Sequence, residues 1–223
     1  MTEGAARAER GRLGGLFVLA DDGPAWRRGP VEQAEAACAG GARVVQLRAK
    51  RATDREALLW AREIRALTRA AGALFFVNDR FDLALLAEAD GVHLGQGDVP
   101  PARLPAGARA SLLVGRSTHT RAELLGALRE GVDYAAFGPV FETRSQESAP
   151  AARGLAALGE AARLAAPLPL IAIGGIAAAR IAAVCAAGAA GVAVLSAVAG
   201  ADDALAATRA LVRALGAAED PAA

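Results

Sequence analysis

The sequence predicts a (β/α)8 barrel, on three observations: eight short apolar runs, helical periodicity in segments between them, and no linker that divides the chain. The runs cover residues 16–19, 44–47, 74–77, 91–94, 112–115, 134–137, 170–173 and 192–195. They are too continuously apolar for half-exposed strands and suit a parallel sheet buried on both faces. Between them, residues 53–71 place Leu58, Leu59, Ile64 and Leu67 on one helical face, and residues 121–130 do the same with Leu124, Leu125 and Leu128. Gly40-Gly41 before Val44 and Gly188 before Val192 mark helix-to-strand turns at the end of the barrel that serves stability. A doubly wound open sheet is the alternative, but no Gly-x-Gly-x-x-Gly follows the first run. The barrel is expected over residues 13–216, with an N-terminal extension at 1–12 and a tail at 217–223.

Composition narrows the function. A chain of 223 residues, 54% apolar and 22% charged, can bury one substantial core. Its 25 basic residues nearly balance 24 acidic ones, so no broad positive field exists to hold nucleic acid. An anionic ligand must be held by a local site. Cys38 and Cys185 lie far apart, without metal-ligand spacing, and read as buried small apolar residues. The apolar run at 13–20 stops at Asp21 and Asp22, too short for a signal peptide. The uncharged stretch 181–201 has the length of a membrane span, but Gly188 and Gly191 break it into a helix, a turn and a buried strand. A cytoplasmic protein away from the membrane is expected, and association with further copies of the chain stays open.

Lys50 is the only lysine and Asn78 the only asparagine, in a chain where arginine and alanine abound. Chance survival on the surface explains either one alone. Both, however, fall just after apolar runs, where the active site of such a barrel lies. The remaining runs are followed by similar residues: Gln46 and Arg48 at the second, Asp79 at the third, Gln96 and Asp98 at the fourth, and Ser117 and His119 at the fifth. Thr143, Ser145 and Gln146 follow the sixth, Gly174 and Gly175 the seventh, and Ser196 the eighth.

These residues form a charge pattern. The guanidinium fork of Arg48 and the point charge of Lys50 suit phosphate oxygens. Asp79 and Asp98, on neighbouring strands, repel one another unless a cation lies between them, and so few hard oxygen ligands beside a phosphate site suggest Mg2+. Gly174-Gly175 and Leu195-Ser196 match the barrel position where backbone N–H groups hold a phosphate. Structural alternatives accompany each. Asp79 could cap a helix starting near Phe81, Asp98 could close a turn before Pro100, and the glycines could serve a tight turn. His93, within an apolar run, reads as a satisfied core residue or one that supports a site residue, rather than as a catalyst.

The motifs QLRAK at 46–50, NDR at 78–80, DGVHLGQGD at 90–98, GRSTH at 115–119, Gly138-Pro139 through Thr143, and IGGI at 173–176 resemble thiamine-phosphate synthase and the related TenI-like thiazole tautomerases. The likeness runs from Leu16 to Val198. It implies an Mg2+-dependent barrel enzyme that joins hydroxymethylpyrimidine diphosphate to a carboxythiazole phosphate. By the same resemblance Gln46, Leu47, Arg48, Ala49, Lys50, Asn78 and Ser117 bind the pyrimidine diphosphate, with Arg48, Lys50 and Ser117 acting in catalysis. Asp79 and Asp98 hold Mg2+, and Thr143, Arg144, Ser145, Gly175, Leu195 and Ser196 hold the thiazole phosphate. Gln146 stands where the synthases carry a lysine, a departure that suggests a non-catalytic thiazole- or thiamine-phosphate-binding regulator as one other reading, while the wording of residues 115–119 and 137–143 leans toward a second, a tautomerase.

Overall fold

The computed structural model describes residues 11–143 and 151–219. Eight parallel strands close into a barrel in sequence order: β1 (Gly15–Asp21), β2 (Val44–Arg48), β3 (Leu74–Asn78), β4 (Gly91–Leu94), β5 (Leu113–Thr118), β6 (Tyr134–Phe137), β7 (Leu170–Ile173) and β8 (Gly191–Val194). Pairing of Gly15 with Gly191 completes the ring. The helices are α1 (Pro30–Gly40), α2 (Asp54–Ala71), α3 (Phe81–Leu86), α4 (Ala106–Ser111), α5 (Arg121–Arg129), α6 (Gly154–Ala165), α7 (Ile181–Ala186), α8 (Ser196–Ala199) and α9 (Ala204–Glu219).

Alternation along each strand divides the core into two parts. Phe17, Leu19, Val44, Leu74, Phe76, Leu113, Tyr134, Ile171 and Ala193 fill the barrel interior. Val18, Val45, Leu47, Phe75, Val77, Leu94, Val114 and Val192 belong to the larger cluster beneath the helices. Residues of both sets are almost fully buried, as a parallel barrel requires.

All eight expected strands are present. Four run further than their apolar runs: β1 continues to Asp21, β2 to Arg48, β3 to Asn78 and β5 to Thr118, because ladder pairing carries on past the last large apolar residue. Ser117 therefore sits on a strand rather than in a loop. Helix α2 starts at the capping box of Thr53 and Glu56 and ends at Gly72, whose φ of 67° is left-handed. The stretch 181–201 splits into α7, a turn and β8, and among the described residues no helix is long and apolar enough to cross a membrane. Helix α9 extends to Glu219, past the boundary expected at 216. Cys38 and Cys185, expected to be buried, are only half-buried on α1 and α7.

Candidate active site

A cavity of about 270 Å³ opens at the carboxyl ends of the strands, a size that calls for a small-molecule ligand. Arg48, Lys50, Asn78, Asp79, Gln96, Ser117, His119, Thr143, Gly175, Leu195 and Ser196 all line it. The scattered polar residues that follow the apolar runs thus converge on one place.

The first wall is built from β2, β3 and β4. The pleat points Gln46 and Arg48 inward and sends Leu47, which is 1% exposed, into the layer under the helices. Ala49 packs against that same outer layer. Neither Leu47 nor Ala49 lines the cavity, and only their backbone is left to meet a ligand. Gln46, just below, donates from Nε2 to Asn78 Oδ1 at 3.4 Å.

Asp79 takes a left-handed backbone, φ 65°, which turns the chain from β3 toward α3. It does not cap that helix: the N-cap is Arg80, without a side-chain hydrogen bond. The Asp79 carboxylate instead pairs with Lys50 Nζ. Asp98 does close a turn, accepting from Gly95 N at 2.6 Å; it does not itself line the cavity, but its carboxyl lies near enough to that of Asp79 for the two to interact. Burial, then the neighbouring Asp79 carboxyl, raises the Asp98 pKa above its ordinary value, and the Lys50 ammonium works in the opposite direction. Two acids forced this close in a free protein share a proton or a cation.

Two residues absent from the expectations hold this wall in place. Asp21, 4% exposed, pairs with the Arg48 guanidinium and also accepts from Trp26 Nε1 at 2.6 Å and Gly23 N at 2.9 Å. Arg48 therefore enters the cavity already tethered to a carboxylate. Asp22 accepts from three successive backbone N–H groups, Lys50 at 2.9 Å, Arg51 at 2.7 Å and Ala52 at 2.8 Å, fixing the loop that carries Lys50. The available signal was the acidic pair itself, placed at the carboxyl end of β1.

The opposite wall comes mainly from backbone. Gly174 and Gly175 have φ of 100° and 64°, and a Cβ on either would meet Pro139 Cβ at 2.3 Å or Glu142 O at 2.4 Å. Both residues must be glycine for the segment after β6 to pack against the end of β7. Arg180 steadies this turn, donating to Gly175 O at 2.6 Å while stacking 4.4 Å above the Phe141 ring. His119 Nδ1 lies 2.6 Å from Gly138 O, a carbonyl that only accepts, so Nδ1 carries a proton and donates it there. Arg144, Ser145 and Gln146 lie outside the described residues.

Fold and site define a (β/α)8 barrel whose rim gathers cations, paired carboxylates and glycine-rich backbone around a small-molecule cavity. The sequence profile of the family described as "Thiamine monophosphate synthase" matches residues 16–198, and the chain belongs to that family. It is 48% identical over 196 residues to a thiamine-phosphate synthase of Methanoculleus marisnigri, covering 88% of this chain and 92% of that one. It is also 48% identical over 200 residues to one of Anaeromyxobacter dehalogenans, covering 89% and 86%. Among solved structures, thiamine phosphate pyrophosphorylase from Pyrococcus furiosus matches with a TM-score of 0.83 at 36% identity, over 94% of this chain and 98% of that one.

Proposed function

We infer that the chain condenses hydroxymethylpyrimidine diphosphate with carboxythiazole phosphate, releasing diphosphate and giving thiamine phosphate, with Mg2+ held by Asp79 and Asp98. The supporting observation is the pairing of Asp79 with the chain's only lysine, close enough to Asp98 for the two carboxyls to interact. Among the described residues no group of three or more His, Cys, Asp or Glu is suited to a metal ion. A pair of hard oxygen donors suits an ion that takes its remaining ligands from water and phosphate.

In this reading Lys50, Arg48 and Asn78 face the diphosphate. Lys50 exchanges its present carboxylate partner for phosphate oxygens, and Arg48 offers the part of its guanidinium fork that Asp21 leaves unused. Bound at the carboxylate pair, Mg2+ would neutralise charge that develops on the departing diphosphate. Asp21 and Asp22 keep both cations in place before the ligand arrives, so little reorganisation accompanies the change in charge. The carboxythiazole phosphate is assigned to the wall of Thr143, Gly175, Leu195 and Ser196. Both substrates are small and phosphorylated, which supports a cytoplasmic enzyme without nucleic-acid or membrane partners.

A two-substrate assay with and without Mg2+ tests this function. Diphosphate release is expected only with both substrates and metal present. Absence of turnover, with the thiazole tautomer shifting instead, would move the chain to the tautomerase branch.

A further inference from the structure

Beneath Ser117, a column of side chains runs from the cavity into the barrel core. His93 Nε2 lies 2.8 Å from Ser117 Oγ, and His93 Nδ1 lies 2.8 Å from Tyr134 Oη. The His93 and Tyr134 rings stack with centroids 5.5 Å apart. His93 is 8% and Tyr134 2% exposed. Tyr134 is otherwise walled by Phe17 and Phe76, at centroid distances of 5.4 and 5.6 Å. Its ring rests on Gly115, where a Cβ would come within 2.2 Å of it.

Hydrogen-bond accounting gives this column a direction. The phenol has one proton, and among the described residues its hydrogen-bond neighbour is His93 Nδ1. If Nδ1 carried the imidazole proton, the phenol O–H would point into Phe17 or Phe76 with no acceptor, a buried donor left unsatisfied. Tyr134 must therefore donate to Nδ1, which places the imidazole proton on Nε2 and makes that N–H donate to Ser117 Oγ. With its oxygen already accepting, Ser117 has its own proton left to direct into the cavity. Burial holds both groups neutral, pushing His93 down to about 4 and the Tyr134 phenol upward.

We propose that Tyr134 and His93 are positioning residues that fix Ser117 as a hydrogen-bond donor to an acceptor atom of the pyrimidine diphosphate, a ring nitrogen or a phosphate oxygen. The ligand in this statement rests on the function inferred above; the direction of the column does not. A donor locked in this way selects for an acceptor at that point and rejects a ligand presenting an N–H there.

The chain has two histidines, so 15N NMR of the imidazole nitrogens resolves the tautomer of His93 directly. At pH 7 a protonated Nε2 and a bare Nδ1 are expected, and a protonated Nδ1 or an imidazolium overturns the proposal. Tyr134→Phe keeps the ring over Gly115 while removing the donor. It should raise KM for the pyrimidine diphosphate about fivefold, with kcat changed less than about twofold. In a Ser117→Ala background the same substitution should shift KM by less than about twofold, because the group it orients is gone. An equal shift in both backgrounds, or none in the native background, overturns the proposal. If the chain fails to turn over pyrimidine diphosphate at all, the inferred function falls, and the tautomer still decides the column.

Discussion

Where the strands begin, Asp90 accepts from Phe75 N at 2.8 Å and Arg65 Nη1 at 2.7 Å, and Asp133 from Val114 N at 2.7 Å and Arg109 Nη1 at 3.2 Å. Where the strands finish, Asp79 and Asp98 meet each other, with Lys50 alongside. The residue types are nearly the same at the two ends, but the first pair is satisfied by backbone and arginine, stapling helix to strand. The second pair is opposed, charge against charge. Buried acids with fixed donors add stability; crowded acids at a cavity cost it, and persist where a ligand or ion relieves them.

Asp79→Asn should separate the two ends of the barrel most visibly. Asparagine tolerates the left-handed backbone at this position, and the lost Lys50 pair is partly exposed and worth at most about 1 kcal/mol. Stability should barely change, whereas kcat/KM should fall about 10²–10³-fold, the usual scale for losing one charged element of a preorganised site. Thermal unfolding alongside the two-substrate assay checks both halves. A variant that unfolds early but retains activity would place Asp79 with the structural acids.

How far the sequence revealed this molecule differs between the same two regions. The barrel is legible because a buried parallel strand needs an apolar run, and each of the eight runs became a strand. The cation and carboxylate wall is legible because Lys50, Asn78, Asp79 and Asp98 are chemically distinctive and sit after those runs. Two features were hidden and a third was only faintly marked. Leu47 and Ala49 share a motif with Arg48 and Lys50, but the period-two pleat sends Leu47 outward, an orientation fixed only once pairing sets the register. Asp21 and Asp22 looked like the end of an apolar run, since their partners Arg48, Lys50 and Trp26 become neighbours only when the barrel closes. The opposite wall works through backbone geometry at Gly174 and Gly175, which residue type alone announces weakly.

His93 lies between the two ends, and acid should report on it. In the unfolded chain its imidazole takes a proton near pH 6.5; in the folded protein burial delays this until about pH 4. Between those values the unfolded state binds more protons, so stability rises with pH. The contribution is complete above pH 6.5 and lost by about pH 4, amounting to about 3 kcal/mol across the window. Denaturant unfolding at pH 7 and pH 4.5 measures it, and His93→Gln should flatten the difference. Asp54, Glu56 and Asp82, whose pKa values are lowered, add their own losses mainly at lower pH, below their ordinary values. An unchanged slope in His93→Gln would assign the acid sensitivity to the carboxylates instead.

Asp133→Ala is the converse test, with a smaller expected effect. Asp133 is 4% exposed, and its removal leaves Val114 N without that acceptor and Arg109 without its charge partner. Because the Arg109 side chain is 30% exposed, water takes up part of the loss, and the cost should be about 2 kcal/mol rather than the larger penalty of a fully buried broken pair. In a chain of this length that lowers Tm by about 4–8 °C. The variant should keep its kcat at 25 °C, since β5 remains paired on both sides and Ser117 stays in register. A fall in kcat with Tm preserved would mean that the two ends of β5 are coupled, and that the acids where the strands begin also set the geometry where they finish.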